Sequence, residues 1–278
     1  MDVGALKAKA AAFRKLHDGP DLLVLPNAWD VASARIFEDA GFPAIATTSA
    51  GIAYAHGYPD QERISRPEMA RAVQRIAASL RVPLTADMES GYGDVAETVR
   101  AAIDAGAVGM NLEDATRDAA KPLFDLEVQV ERIRAARAAS DAAGVRLVIN
   151  ARTDVFLAAV GPEEGRMDDA IRRANAYRDA GADCLFVPGV ADAARIAALA
   201  KAIRGPLNIL AGPGVPSAPE LRKLGVARLS VGSGAMRAVL GLTRRIAQEL
   251  RGPGTYGAVL EGAVSYAEMN QLLSRPHA

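Results

Sequence analysis

The chain is poor in the residues that build covalent and thiolate frameworks. It contains a single cysteine, Cys184, among 278 residues, which excludes an internal disulfide and a cysteine-based zinc site. Its three histidines, His17, His56 and His277, are far apart in the sequence, and this spacing argues against a histidine metal cage. Any bound metal would therefore need oxygen ligands, which selects Mg²⁺ or Mn²⁺.

The chain also lacks an excess of charge of either sign. Lys and Arg together number 33, as do Asp and Glu, so the formal net charge is zero. This balance gives no indication of nucleic acid or of a membrane surface as a partner. No apolar run approaches the roughly 18 residues that would span a bilayer, and the N-terminus lacks the pattern of a signal peptide. We expect a cytoplasmic protein that acts on small molecules.

Eight short apolar runs alternate with segments of helical periodicity. The runs are too short for helices and show little polar alternation, as is typical of strands buried on both faces of a parallel sheet. Glycine follows the helical segments in Asp39-Ala40-Gly41, Asp104-Ala105-Gly106 and Asp179-Ala180-Gly181, where a left-handed residue ends a helix. Eight such units predict a single (β/α)₈ barrel over residues 1–278, with a doubly wound open sheet as the alternative. The predicted strands are Leu22–Leu25, Ala44–Thr47, Pro83–Asp87, Val108–Glu113, Leu147–Ala151, Cys184–Val187, Leu207–Leu210 and Leu229–Val231.

Acidic residues end the third and fourth predicted strands, where the catalytic groups of such barrels lie. Asp87 and Glu89 are two residues apart and point the same way, and Glu113 ends the neighbouring strand. Three carboxylates in one place repel each other unless a cation, a proton or a basic side chain neutralises them. A divalent metal bound by these three residues is the simplest solution. Helix capping or pairing with arginines is the alternative.

Arg152 ends an apolar strand, so its side chain starts from a buried position. An arginine in such surroundings needs an anionic partner. A substrate carboxylate bound by two parallel hydrogen bonds would serve. An internal ion pair with Asp87, Glu113 or Asp154 would serve equally well, and the sequence leaves both readings open.

Small residues follow two other predicted strands. Ser49-Ala50-Gly51 offers small side chains and backbone amides that suit a carboxylate or a developing oxyanion. Gly232-Ser233-Gly234 stands where many barrels bind phosphate, which makes Ser233 a minor candidate for substrate binding. Cys184 lies in an apolar run and is expected to pack in the core.

Taken together, these segments resemble the isocitrate lyase/phosphoenolpyruvate mutase superfamily, and the resemblance extends over nearly the whole chain. The segments that carry it are Ser49-Ala50-Gly51, Gly57-Tyr58-Pro59-Asp60, Asp87-Met88-Glu89-Ser90-Gly91-Tyr92-Gly93, Leu112-Glu113-Asp114 and Ala151-Arg152-Thr153-Asp154. The resemblance implies a (β/α)₈ barrel that uses Mg²⁺ or Mn²⁺. Asp87 would hold the metal directly, while Glu89 and Glu113 would act through water.

The resemblance also implies a small α-keto acid as the substrate. Ser49, Ala50 and Gly51 would bind its carboxylate or oxyanion, Arg152 would pair with a carboxylate, and Asp60 would lie near the reacting end. Superfamily members are commonly tetramers in which C-terminal helices are exchanged between subunits. We therefore expect a homodimer or homotetramer, in which the helical extension of residues 252–278 reaches a neighbouring subunit.

One segment departs from the superfamily pattern. The lyases carry a Lys-Lys-Cys-Gly-His loop after the fourth strand, in which the cysteine supplies a proton, and the mutases carry a longer loop. Residues 115–122 form a short loop without cysteine or histidine, so isocitrate lyase and methylisocitrate lyase activities are not expected. The prediction is Mg²⁺-dependent cleavage of a small α-keto dicarboxylate through an enolate, most simply decarboxylation of oxaloacetate. Phosphonopyruvate hydrolase or phosphoenolpyruvate mutase chemistry, and a low-turnover α-keto acid-binding protein, are the alternatives.

Overall fold

Short parallel strands form one sheet in the computed structural model, which describes residues 3–274. The strands are β1 (Leu23–Leu25), β2 (Asn27–Ala28), β3 (Ile45–Thr47), β4 (Leu84–Asp87), β5 (Gly109–Glu113), β6 (Val148–Arg152), β7 (Cys184–Phe186), β8 (Leu207–Leu210) and β9 (Arg228–Ser230). Their order in the sheet is β1-β9-β8-β7-β6-β5-β4-β3-β2. Each of the eight predicted runs overlaps one of these strands, so the predicted architecture is confirmed.

The sheet closes through its first strand, which is divided by a proline. β1 pairs with β9 and β2 pairs with β3, while Pro26 between them has no N–H group to donate. The carbonyl of Pro26 still accepts a hydrogen bond from the backbone N–H of Ala46 at 2.9 Å. β1 and β2 therefore act as the two halves of one barrel strand, and the nine segments form an eight-stranded (β/α)₈ barrel.

Helices alternate with most of the strands along the chain. The helices are α1 (Val3–Lys15), α2 (Val31–Asp39), α3 (Ser49–Ala55), α4 (Arg66–Ala78), α5 (Val95–Asp104), α6 (Leu126–Ala142), α7 (Glu163–Asp179), α8 (Ala193–Ala202), α9 (Ala218–Lys223), α10 (Gly234–Arg251), α11 (Gly257–Leu260) and α12 (Tyr266–Ser274). Within residues 3–274, no helix is both long and apolar enough to cross a membrane. Cys184 is fully buried in the core, as predicted.

The predicted helical extension of residues 252–278 forms two helices, α11 and α12, in the part that the structure describes. Gly262 adopts a φ of 67°, a left-handed conformation that ends a helical segment, and it separates α11 from α12. Helix α12 returns to α2 of the same chain, where Arg35 donates a hydrogen bond to the carbonyl of Leu272 at 3.0 Å. Helix α10, by contrast, has Met236 as its buried residue.

Candidate active site

The carboxyl ends of the strands surround a cavity of about 410 Å³. Five of the residues predicted from the sequence line it: Ser49, Asp60, Glu89, Glu113 and Arg152. They lie at or after the ends of the four neighbouring strands β3, β4, β5 and β6, so the barrel brings together residues that are far apart in the sequence. This is the end of the barrel where the chemistry of (β/α)₈ enzymes takes place.

Asp87 is the last residue of β4 and is held by hydrogen bonds to its carboxylate. Its Oδ2 atom accepts bonds from the hydroxyl of Ser49 at 2.9 Å and from the backbone N–H of Ser49 at 3.1 Å. Its Oδ1 atom accepts a bond from the side-chain amide of Asn111 at 3.3 Å. The backbone N–H of Asp87 also donates to Thr47 at 2.9 Å. Asp87 is therefore held from both neighbouring strands, by Thr47 and Ser49 at the end of β3 and by Asn111 of β5.

Glu89 stands in a buried acidic environment. Its carboxylate accepts bonds from the hydroxyl of Tyr92 at 3.0 Å and from the backbone N–H of Glu62 at 2.5 Å. Burial, followed by the negative charges of Asp87 and Asp60, raises the pKa of Glu89 to about 8. The backbone φ of Glu89 is 50°, a region that non-glycine residues rarely occupy and that is commonly found at functional sites.

Arg152 forms internal ion pairs, one of the two roles that the sequence left open for it. Its Nη1 atom lies 2.7 Å from Glu113, while its Nε and Nη2 atoms donate to the two oxygens of Asp154 at 2.5 and 2.8 Å. Burial lowers the pKa of Arg152, but Glu113 and Asp154 outweigh it and raise that pKa above its usual value. Burial raises the pKa of Glu113, and the charge of Arg152 opposes this rise.

Asp60 lies at the edge of the same cavity, in a segment with unusual backbone geometry. Burial raises its pKa, with a further contribution from the charge of Asp87. Gln61 and Glu62 follow with φ values of 75° and 54°, so the segment turns sharply beside the cavity. This places a partly buried carboxyl group opposite Arg152, whose charge acts on it.

Three predicted substrate-binding residues do not line the cavity. Ala50 and Gly51 lie buried in the first turn of α3, and a Cβ atom on Gly51 would come within 2.6 Å of Thr48 and 3.0 Å of Trp29. Close packing of α3 thus explains the glycine at position 51. Ser233 precedes α10 at the rim next to β9, away from the acidic residues that line the cavity.

Glu62 was not identified from the sequence, although it connects three segments of the site. Its Oε1 atom accepts bonds from the hydroxyl of Ser90 at 2.7 Å and from the backbone N–H of Tyr92 at 2.9 Å. Its Oε2 atom forms an ion pair with Arg117. The one available signal was its position two residues after Asp60, the same spacing as between Asp87 and Glu89.

The short loop after β5 folds over the cavity. Ala115 and Leu123 form an antiparallel bridge, and the backbone N–H of Thr116 donates to Pro122 at 2.8 Å. Residues 115–119 and Pro122 line the cavity. The ion pair of Arg117 with Glu62 joins this loop to the segment that carries Asp60.

The carboxylates suit a divalent cation by their chemistry, although they do not form a ready-made cage. Among residues 3–274, no three Asp, Glu, His or Cys side chains are arranged to hold a metal ion, because each carboxylate faces hydrogen-bond donors. The group nevertheless offers only oxygen ligands, which Mg²⁺ and Mn²⁺ prefer. Burial raises the pKa values of Glu89 and Glu113, and the negative charges of neighbouring carboxylates add to this rise. Asp87, Glu89 and Glu113 thus fit the group that the superfamily uses.

Comparison with known proteins identifies the family of the chain. The phosphoenolpyruvate phosphomutase family matches residues 13–251. The chain belongs to the isocitrate lyase/phosphoenolpyruvate mutase superfamily. An oxaloacetate decarboxylase of Bradyrhizobium diazoefficiens is 32% identical over 226 residues, which cover 78% of this chain and 75% of the relative.

Solved structures of other superfamily members share the fold over almost the full length. A protein of Burkholderia cenocepacia J2315, provisionally named a lyase/mutase, is 41% identical, with a TM-score of 0.92 over 99% of this chain and 98% of the other. A phosphonopyruvate hydrolase in complex with oxalate and Mg²⁺ is 27% identical, with a TM-score of 0.83 over 95% and 94% of the two chains. The relatives of this chain are thus lyases, mutases and a hydrolase.

Proposed function

We propose that this superfamily member is a Mg²⁺- or Mn²⁺-dependent lyase of small α-keto dicarboxylic acids, and that the reaction it catalyses is the decarboxylation of oxaloacetate. The observation that carries the proposal is the convergence of Asp60, Glu89, Glu113 and Arg152 on one cavity. The loop that covers it, residues 115–122, offers neither a thiol nor an imidazole. A reaction in which solvent protonates the product suits such a loop.

Arg152 supplies the contact for a substrate carboxylate. A guanidinium group carries five N–H donors, of which two are donated to Asp154, while Nη1 forms an ion pair with Glu113. Arg152 lines the cavity, and its remaining N–H groups would bind an anion there. Because Glu113 and Asp154 hold the guanidinium plane in place, little side-chain entropy is lost when a carboxylate binds.

The acidic residues at the cavity would bind the metal ion. A divalent ion held by Asp87, Glu89 and Glu113 would supply positive charge for the keto and carboxylate oxygens of the substrate. In decarboxylation, the bond between C3 and the C4 carboxylate breaks, carbon dioxide leaves, and the electron pair stays on the pyruvate enolate. A proton from solvent at C3 then gives pyruvate, so the loop need not donate one.

The test compares two substrates with the purified protein in the presence of Mg²⁺. Pyruvate should form from oxaloacetate faster than the spontaneous background, and both chelation with EDTA and Asp87→Ala should return the rate to that background. Release of phosphate from phosphonopyruvate, without enzymatic pyruvate formation from oxaloacetate, would show P–C chemistry and contradict the proposal. Tight keto-acid binding in calorimetry without turnover of either compound would also contradict it.

We also propose that the protein is a homo-oligomer, through the exposed face of α10. Val239, Leu240 and Leu250 on this helix are 47%, 44% and 51% exposed, and apolar side chains grouped on one helix favour a protein interface. Light scattering coupled to size-exclusion chromatography should give the mass of a dimer or tetramer. A monomeric mass would contradict this part of the proposal. A cytoplasmic location remains a prediction from the sequence.

A further inference from the structure

The interior of the barrel contains an arginine without a partner. Arg228 begins β9 and pairs in register with Leu23 of β1 and Asn208 of β8. Its side chain is fully buried, and none of its three nitrogen atoms has a hydrogen-bond partner. A guanidinium group stays protonated in proteins, so a buried positive charge and five N–H donors remain unsatisfied. Such a charge is strongly unfavourable unless an anion or a set of hydrogen bonds compensates it.

The charged groups near Arg228 do not compensate it. Burial lowers the pKa of Arg228, and the groups that oppose this effect are Cys184 and Asp87. Burial raises the pKa of the Cys184 thiol to about 11, so this thiol is neutral at physiological pH. The Asp87 carboxylate accepts hydrogen bonds from Ser49 and Asn111, and it accepts none from Arg228. The region therefore carries an excess of positive charge.

A second donor without a partner belongs to the residue paired with Arg228. Asn208 accepts a bond from Ser230 through Oδ1 at 2.8 Å, whereas its buried amide nitrogen has no partner. Burial, followed by the positive charge of Arg228, lowers the pKa of His17 to about 4. His17 is therefore neutral at physiological pH. Arg228 and Asn208, paired in register on β9 and β8, thus leave one cation and one further N–H donor unsatisfied.

We propose that Arg228 binds a small monovalent anion such as chloride inside the barrel, with the Asn208 amide as a second donor. One negative charge balances the guanidinium charge, and a halide accepts hydrogen bonds from several directions. A small ion is required because the Arg228 side chain is fully buried inside the barrel. The ion would balance the positive charge of Arg228 on β9, the strand that closes the barrel by pairing with β1.

Water is the competing occupant of this position. Water molecules could bridge Arg228 to the unpartnered acceptors of the interior, which include Asn150 Oδ1 and Thr85 Oγ1. Such a cluster would satisfy hydrogen bonds but would leave the buried charge uncompensated. The two occupants differ in a measurable way, because only the anion makes stability depend on the identity of the salt.

The first test measures the midpoint of thermal unfolding in sodium chloride, bromide and gluconate at equal ionic strength. For the wild-type protein we expect a saturable rise of several degrees in the halides relative to gluconate. Arg228→Met should remove this dependence. Arg222→Met, which removes a surface arginine paired with Asp21, should retain it. Equal midpoints in halide and gluconate for the wild type, or an unchanged halide effect in Arg228→Met, would overturn the proposal.

The second test uses only the wild-type protein and therefore remains informative if Arg228→Met does not fold. The protein is purified and crystallised with bromide in place of chloride throughout, and data are collected at the bromine absorption edge. An anomalous peak within hydrogen-bonding distance of Arg228 would confirm the anion. Ordered density at this position without an anomalous signal would identify water and overturn the proposal. Neither test depends on the proposed enzyme activity.

Discussion

Ser49 donates two hydrogen bonds to one carboxylate oxygen of Asp87, from its hydroxyl at 2.9 Å and from its backbone N–H at 3.1 Å. The sequence suggested separate roles for the two residues, with Ser49 binding substrate and Asp87 binding metal. Their contact makes Ser49 a support for the carboxylate, and it directs the free lone pairs of that carboxylate. Ser49, the first residue of α3, thus orients the residue that is proposed to bind the metal.

Ser49→Ala is expected to weaken Mg²⁺ binding. The variant keeps the backbone N–H bond to Asp87 but loses the hydroxyl bond, and loss of such a supporting contact typically reduces metal affinity by about 10-fold or more. The Mg²⁺ dependence of the reaction rate, or calorimetric titration with Mg²⁺, measures the change. Ser233→Ala serves as the matched control, because this serine does not line the acidic cavity. Equal Mg²⁺ affinity in the two variants would contradict the supporting role.

Arg117→Ala is expected to weaken binding of dicarboxylates without destabilising the fold. Arg117 lines the cavity and pairs with Glu62, so its loss removes positive charge and releases the short loop. We expect KM for oxaloacetate to rise about 10-fold, which corresponds to a contact of roughly 1.4 kcal/mol. The free energy of unfolding should change by no more than about 1 kcal/mol, because the arginine is half exposed.

Lys121→Ala provides the control for the Arg117 variant. Lys121 belongs to the same loop and carries the same charge, but it pairs with Asp125 where both side chains are exposed. It should leave KM close to the wild-type value. Calorimetric titration with oxalate provides a second measurement that needs no turnover. Equal effects of the two substitutions would show that Arg117 acts only through the net charge of the loop.

The residues that end strands were predictable from the sequence, whereas contacts between loops were not. Asp87, Glu113 and Arg152 could be found because each follows an apolar run, and parallel strands bring such ends together. Glu62 and Arg117 belong to loops without periodicity. The Glu62 side chain that pairs with Arg117 starts from a left-handed backbone, with a φ of 54°. This conformation is rare for residues other than glycine and could not be predicted from the sequence.

The interruption of the first strand shows a similar limit. A single run, Leu22–Leu25, was predicted, while the barrel strand continues past Pro26 to Ala28. Because proline lacks the N–H group, the pairing changes from β9 on one side of it to β3 on the other. The number of barrel strands could therefore be predicted from apolar runs. The exact end of a strand depends on pairing with neighbours that are distant in sequence.

Tyr177→Phe is expected to reduce the free energy of unfolding by about 1–3 kcal/mol, since it leaves a buried acceptor with fewer donors. The Tyr177 hydroxyl donates to Asp114 at 2.7 Å, and Asp114 also accepts bonds from the backbone N–H of Asp154 at 2.9 Å and from Arg173 at 3.3 Å. Urea unfolding measures the loss. Tyr256→Phe, at a position that is 63% exposed, should have almost no effect, and a similar small effect of Tyr177→Phe would contradict the expectation.

His17 should make the protein less stable as the pH falls below 6.5. Its ring is buried just after α1, where Nδ1 lies 3.0 Å from the carbonyl oxygen of Phe13. Burial, with the charge of Arg228 as the next contribution, lowers the pKa of His17 from 6.5 to about 4. Between these two values the unfolded chain binds a proton that the folded protein does not, so the stability that neutral His17 provides is complete above pH 6.5 and is lost as the pH falls towards 4.

His17→Gln should remove this contribution, which amounts to about 3 kcal/mol over the full interval. The measurement is the free energy of unfolding by urea from pH 7 down to pH 4, compared between wild type and variant. The difference between the two curves cancels the opposite slope from Glu89, whose raised pKa favours the folded state at low pH. His56→Gln, at an exposed position, is the control for loss of an imidazole. Parallel curves for the wild type and His17→Gln would show that His17 does not titrate as its burial requires.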